Sequence, residues 1–237
     1  MRNYHSLCLG LLFISQAACA DMLDQGFSLV YEVYHNNTYL GVSQNTLKKL
    51  NNGQWEYRAE VEPRGFFSLF LSDRITEISR FSRNANLIRP VYYFRHHRKS
   101  DHDRQKYEIN FDWDKKQLVN TSENRQLDLP DFTQDLLSFQ LYLMQKLQQS
   151  PNFKTIAVPI ATHTDVYVYN LVNKGESKTE VPLGGYPAIQ LESEEHDGDR
   201  YVLWCVKELE YLPVKIQKID HEGDIVTLNL TTMVKNP

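Results

Sequence analysis

The sequence predicts a mainly β domain: one strongly curved antiparallel sheet or open barrel, with a single amphipathic helix at about residues 131–149 packed in or across it. Three observations carry that expectation. Apolar and polar residues alternate with period 2 through most of the chain, the pattern of strands that cover one face. The alternating segments are separated by turns as short as Asp114-Lys115-Lys116, Asp197-Gly198-Asp199 and Glu222-Gly223-Asp224, which suit antiparallel meanders because parallel pairing needs a long crossover. Asp131 to Gln149 breaks the rhythm with a helical period.

Phe27, Leu29, Tyr31 and Val33 place four apolar side chains on one side of a first strand, with Ser28 and Glu32 on the other. Asn36-Asn37 then turns the chain into Tyr39 to Leu47, and Asn52-Gly53 turns it again into a third strand. There Trp55, Tyr57, Ala59 and Val61 alternate with Glu56, Arg58, Glu60 and Glu62. Further strands are expected over Arg74 to Ser82, Arg89 to Arg98, Arg104 to Trp113, Gln117 to Ser122, Thr155 to Ala161, Asp165 to Val172 and Thr179 to Val181. Ala188 to Glu194, Tyr201 to Lys207, Val214 to Ile219 and Ile225 to Met233 complete the set. The runs Val166 to Tyr169 and Tyr201 to Val206 are apolar on both faces, so both are expected to be covered on both sides.

Pro130 precedes the helical stretch, Asp131 with Gln134 three residues on reads as a capping box, and Ser150-Pro151-Asn152 reads as a stop. On a helical wheel Phe132, Leu136, Leu137, Phe139, Leu143, Met144 and Leu147 fall within an arc of about 160°. Such a face either closes the core of the sheet or lids a cavity. Between two strands, Gly65 to Leu71 forms a dense apolar patch that is either a short helix plugging the barrel or an exposed binding loop. A cavity under the helix would be lined by Phe66, Phe67, Phe70, Leu136, Phe139, Leu143 and Trp204. These are the expected ligand-binding residues.

At 237 residues with 41% apolar, 12% aromatic and 24% charged side chains, the chain is globular rather than disordered, collagenous or stapled by disulfides. Twenty-six basic against thirty acidic residues exclude the dense positive charge of a dedicated nucleic-acid binder. Arg2, the apolar run Leu7 to Ile14 and the small residues Ala18 and Ala20 read as a secretory signal peptide over residues 1–20, cleaved after Ala20. That run is too short to span about 30 Å of hydrocarbon, and no later segment is long and apolar enough to do so. The expected product is a single soluble domain, residues 21–237, in the periplasm. A rival reading lipidates Cys19, against which Gln16 stands where an aliphatic residue is usual. Only Cys205 lies beyond the signal, within Tyr201 to Val206, and is expected to be a buried, inert thiol.

Several short pieces follow one another along the chain: Phe27 to Val33, Leu40-Gly41, Arg89-Pro90, Asp135 to Ser138, Gly184 to Ala188, Trp204 and Leu212 to Lys215. In that order they resemble the bacterial family called domain of unknown function 3108, from about Phe27 to Thr232. The resemblance implies a periplasmic, β-rich protein of a gram-negative bacterium and brings no established activity. In outline the expected curved sheet with its enclosed helix is also similar to the periplasmic lipoprotein carriers, whose half-barrel holds acyl chains. That likeness is one of architecture, and fold does not fix function.

No catalytic motif stands out, and no cofactor or metal is expected. His96, His97, Asp101, His102 and Asp103 have metal-ligand types, but strand neighbours such as His96 and His97 point to opposite faces. They read as a solvated hairpin tip. With Arg89, Arg95, Arg98, Lys99 and Arg104 the same stretch is basic enough to meet phosphate or an acidic glycan. Glu192, Glu194, Glu195, Asp197 and Asp199 lack calcium-loop spacing. Gly184-Gly185 lacks the third glycine of a dinucleotide loop and reads as a turn. Asp135 and Ser138 share one helix face without a histidine base, and suit a helix surface or a hydrogen bond to the sheet. Two functions remain: a non-catalytic envelope protein whose curved sheet holds an apolar or amphipathic ligand or docks a partner, and an envelope enzyme acting on glycan or lipid whose residues converge only in three dimensions.

Overall fold

The computed structural model describes residues 22–65, 73–84, 87–99, 102–194 and 198–236. A short helix, α1 (Met22–Gln25), leads into β1 (Phe27–His35), β2 (Thr38–Lys49), β3 (Trp55–Pro63), β4 (Asp73–Asn84), β5 (Leu87–Lys99), β6 (His102–Asp112), β7 (Gln117–Asn120) and β8 (Arg125–Asp128). Helix α2 (Ser138–Gln149) follows. The chain then runs through β9 (Thr155–Ala161), β10 (Val166–Val181), β11 (Gly184–Ser193), β12 (Arg200–Val206), β13 (Leu212–Ile219) and β14 (Ile225–Lys235).

All fourteen strands belong to one antiparallel sheet in which β14 returns to pair with β1, Phe27 opposite Lys235 and His35 opposite Val226. The strands nearest the two chain ends therefore lie at its centre. Its free edges are β8 and β9, consecutive in sequence, so the connection between them must cross from one edge to the other. It closes the gap as it crosses: Gln134 N–H donates to Pro159 O, and Ala161 N–H donates to Gln134 O, each at 2.8 Å. From the β7 side the Asn120 amide donates to His163 O at 2.9 Å. The expected open barrel is what forms. Register slips between Val30 and Tyr31, Arg80 and Phe81, His97 and Arg98, and Trp204 and Cys205 supply the bends that such curvature needs.

Helix α2 occupies the interior rather than lying across it. Leu141 and Met144 join a core built mainly on β1–β7, with Phe27, Tyr31, Tyr57, Phe81 and Tyr93. Tyr142, Leu143 and Leu147 face the other way, onto Val158, Leu171, Leu191, Leu203 and Cys205. An element buried on two faces is held by both halves of the sheet.

The helix begins later than its sequence pattern suggests. Asp135 is the effective cap: its O accepts from Phe139 N–H at 3.0 Å, while its Oδ1 accepts from Leu137 N–H at 2.9 Å and Ser138 N–H at 2.8 Å. Ser138 Oγ accepts in return from Asp135 N–H at 2.9 Å, completing a capping box one turn beyond Asp131 and Gln134. Upstream, Phe132 takes φ +64 and turns the chain into the bridge to β9; it is 52% exposed instead of continuing the apolar face.

Other expectations shift in detail. Asp165 to Val172 and Thr179 to Val181 are one sixteen-residue strand, β10, interrupted by a register slip between Asn173 and Gly175. The polar run between them pairs with β11 instead of turning. Gly184-Gly185 starts β11, opposite Val181 and Glu180, so the turn is at residues 182–183. The exposed strand β8 has too little apolar pattern to be seen in sequence. Val168 is 53% exposed, so Val166 to Tyr169 is not covered on both faces. Tyr201 to Val206 is: Val202, Leu203, Cys205 and Val206 are all buried.

Candidate functional site

Because α2 fills only part of the barrel, the space beyond its first turn is left open. A cavity of about 590 Å³ lies there, between Val33 on β1, Val61 on β3 and Ile75 on β4 on one side and Tyr169, Tyr201, Ile216 and Leu228 on the other. The connection after β9 (Thr162 to Thr164), Asp199, and Val226 at the start of β14 line it at the same end. An apolar pit of about 100 Å³ continues from it toward the helix, formed by Leu136, Phe139, Ile160, Leu171, Leu203 and Ile216. Leu136, Tyr169, Tyr201 and Ile216 line both spaces and join them.

The two walls differ in chemistry. β4, β5 and β6 turn Glu77, Arg95, Gln105 and Tyr107 into the cavity. Arg95 Nη1 donates to Glu77 Oε1 at 2.5 Å, Arg95 Nε donates to Gln105 Oε1 at 3.2 Å, and the buried Tyr93 hydroxyl donates to Glu77 at 2.5 Å. Burial is the largest single influence and would lower the arginine's proton affinity, but Glu77 together with Tyr93 and Tyr107 outweighs it and holds the guanidinium above its ordinary value. Burial pushes the Tyr107 hydroxyl up to about 12. In this wall Glu77, Arg95 and Gln105 form one hydrogen-bonded charged network, with the Tyr107 ring beside it, 5.9 Å from the Tyr93 ring. Across from it, Ile160, Leu171 and Leu203 present only hydrocarbon to the pit. Tyr169 and Tyr201 meet edge to face there, with centroids 5.9 Å apart. At the mouth, Lys218 Nζ reaches Asp199 Oδ2 at 2.7 Å.

Beneath the polar wall lies Asp135, fully buried, its Oδ2 accepting from Ser79 Oγ at 2.6 Å. Burial raises its carboxyl from 3.8 to about 6, against hydrogen bonds from Ser79, Ser138 and Leu137 that lower it. The hydrogen bond to the sheet expected of this residue is present, and a place on the helix surface is not.

The expected site residues separate. Leu136 and Phe139 line the pit. Leu143 is fully buried one turn further along α2, packed against β9–β13. Trp204 does not join them: it has the opposite parity to Leu203 on β12, is half-buried, and carries Lys215 Nζ 4.8 Å above its ring. Phe66, Phe67 and Phe70 lie outside the described residues. Sequence reasoning missed Glu77, saw Arg95 only as part of a basic stretch, and missed Tyr107 and Tyr201 as lining residues. A signal for the first two was present: Glu77 shares strand parity with Ile75 and Phe81, and Arg95 with Tyr93, so both place charge on a core face.

The described members of the remaining polar clusters have local partners; Asp101, Glu195 and Asp197 lie outside the described residues. His96 pairs with Asp103 at 2.7 Å and His97 with Asp73 at 3.1 Å. Glu192 meets Lys174 at 3.6 Å and also Arg200, while Glu194 accepts from Asn170 at 2.8 Å. Cys205 is buried, and burial pushes its thiol up to about 12. Among the described residues no helix is long and apolar enough to cross a membrane.

Comparison with known proteins gives a family and a fold. Residues 30–231 match the family described as "Protein of unknown function (DUF3108)", and the chain belongs to it. A search of the functionally curated proteins found no match. Among solved structures, the β-barrel-like protein of domain of unknown function DUF1849 from Brucella abortus matches 90% of this chain and 98% of its own at 8% identity, with a TM-score of 0.63. MucB, solved in the Pseudomonas aeruginosa MucA/MucB complex, aligns over 91% of this chain and 54% of its own at 13% identity, with a TM-score of 0.36. This chain thus spans about half the length of that one.

Proposed function

We propose that this DUF3108 protein is a non-catalytic binding or carrier protein of the cell envelope, exported to the periplasm, whose barrel holds an amphipathic ligand. The observation that carries the reading is the two-walled cavity: a charged, hydrogen-bonded wall of Glu77, Arg95, Gln105 and Tyr107 faces a mouth that narrows into a hydrocarbon pit at Leu136, Phe139, Leu171 and Leu203. Small-molecule sites commonly combine an apolar lining with a few placed polar groups. A chain of methylenes suits the pit and a polar head suits the wall.

A fluorescent fatty-acid probe titrated into the protein tests this. Saturable binding is expected, weakened by Leu136→Trp, which fills the junction of cavity and pit, and by Phe139→Ala, which removes a pit wall. Absence of saturable binding, or binding indifferent to both variants, contradicts it. The export reading rests on residues 1–20. Intact mass of protein recovered from cells should place the mature start at Asp21; a diacylglyceryl group on Cys19 would make the protein membrane-anchored instead.

A further inference from the structure

Four residues with permanent charge line the large cavity, and they form two matched pairs. Glu77 and Arg95 meet at 2.5 Å on the polar wall, and Asp199 and Lys218 meet at 2.7 Å at the mouth. Apart from the His163 imidazole, the charges of the lining, two acidic and two basic, sum to zero. The pairs act on a common space, because both line the one cavity, together with Tyr201 on β12.

Resting on the reading above, we infer that the amphipath has a zwitterionic headgroup in which an anionic centre is linked to an ammonium. A headgroup of one sign would leave a charge uncompensated in a partly desolvated space, which is costly. A zwitterion can exchange partners without that cost. Its anion takes the guanidinium of Arg95, whose Nη2 has no bond among the described residues, and the ammonium of Lys218; its cation takes Glu77 and Asp199. The cavity also offers the rings of Tyr107, Tyr167, Tyr169 and Tyr201, and aromatic faces attract ammonium groups. In the adjoining space, which shares Val33, Val61, Ile75 and Val226 with the cavity, Asp73 lies 3.7 Å from Arg104 and Glu62 lies 3.0 Å from Arg64.

The test compares three amphipaths of equal chain length, each below its micelle concentration, by calorimetry: lauroyl lysophosphatidylethanolamine, lauroyl lysophosphatidylglycerol and dodecylamine. The zwitterion is expected to bind about fivefold more tightly than the anionic or cationic ligand. Because Asp199 and Lys218 are partly exposed at the mouth, Asp199→Asn and Lys218→Gln should leave the fold intact, as a melting curve checks. They should move the preference in opposite directions, the first toward the glycerol lipid and the second toward the amine. Equal or tighter binding of the glycerol lipid by the unaltered protein, or shifts of both variants in one direction, overturns the zwitterion while leaving the acyl-binding reading in place. Failure of all three ligands to bind removes that reading, and this inference with it.

Discussion

The β1–β8 half of the barrel and the β9–β14 half enclose the same helix and turn different chemistry toward it. On the first half the inward residues include linked polar groups. Ser43 donates to Asn45 at 2.7 Å, Asn45 donates to the Tyr57 hydroxyl at 3.2 Å, and Ser79 donates to Asp135 at 2.6 Å. The Glu77 and Arg95 pair lies on the same wall. On the second half the inward residues around α2 are Val158, Ile160, Leu171, Leu191, Leu203 and Cys205. Both halves therefore pack on the helix, but the first adds directional bonds to its packing while the second holds the helix by volume. Changes on the second half should act through packing at every pH, whereas changes on the first should act through specific bonds and through protons.

The largest effect is expected from Leu143→Ala. This side chain is fully buried against the hydrocarbon half, and its truncation should cost about 2 to 5 kcal/mol in chemical denaturation, with little dependence on pH. A loss below about 1 kcal/mol would mean that the helix is less firmly seated than its burial implies.

Asp135 gives the contrasting signature. Its folded-state carboxyl is raised to about 6 from 3.8, chiefly by burial, so the native state holds this proton more tightly than the unfolded chain. The stabilisation is fully present below pH 3.8 and is lost as pH rises through about 6, amounting to about 3 kcal/mol. Asp135→Asn keeps an acceptor for the two cap N–H groups and removes the ionisation. Its stability should lose that slope between pH 4 and 8 and exceed the unaltered protein's at the alkaline end. An unchanged slope would assign it to another group.

Phe139→Ala separates packing from binding. Phe139 is half-buried and lines the pit, so the stability loss should be about 1 to 2 kcal/mol, smaller than at Leu143, while acyl-probe affinity falls. Equal losses of stability at the two positions would make the pit an ordinary part of the core. The smallest effect is expected at Cys205, where a buried thiol raised to about 12 should resist a thiol reagent in the native state and react fully in denaturant. Rapid native labelling would show that the β12 wall opens.

Most of the fold was legible because alternation and short turns are local properties. β9 follows its expected bounds to the residue, and β1 to β3 follow theirs closely. The errors arose where tertiary contacts override local pattern. Asp131 and Gln134 have the spacing of a capping box, yet Gln134 is taken by β9, and Asp135, held by Ser79, starts the helix one turn later. Lys174 to Lys178 has turn composition but continues β10 because β11 is there to pair with it. The site was less legible. Leu136 and Phe139 were visible as an apolar helix face, but the same periodicity includes Leu143, which packs on the sheet. Glu77 meets Arg95 across the β4–β5 pairing, and neither residue signals a cavity until the far wall is known.

The most direct test of the two-walled cavity is a set of intermolecular NOEs from a bound lysophospholipid to the isotope-labelled protein. Acyl-chain protons should contact the methyl groups of Leu136, Ile160, Leu171, Leu203 and Ile216, while headgroup protons contact the ring of Tyr107 on the opposite wall. Acyl contacts confined to the outward-facing Val168 and Val234, with none to the pit methyls, would contradict the account.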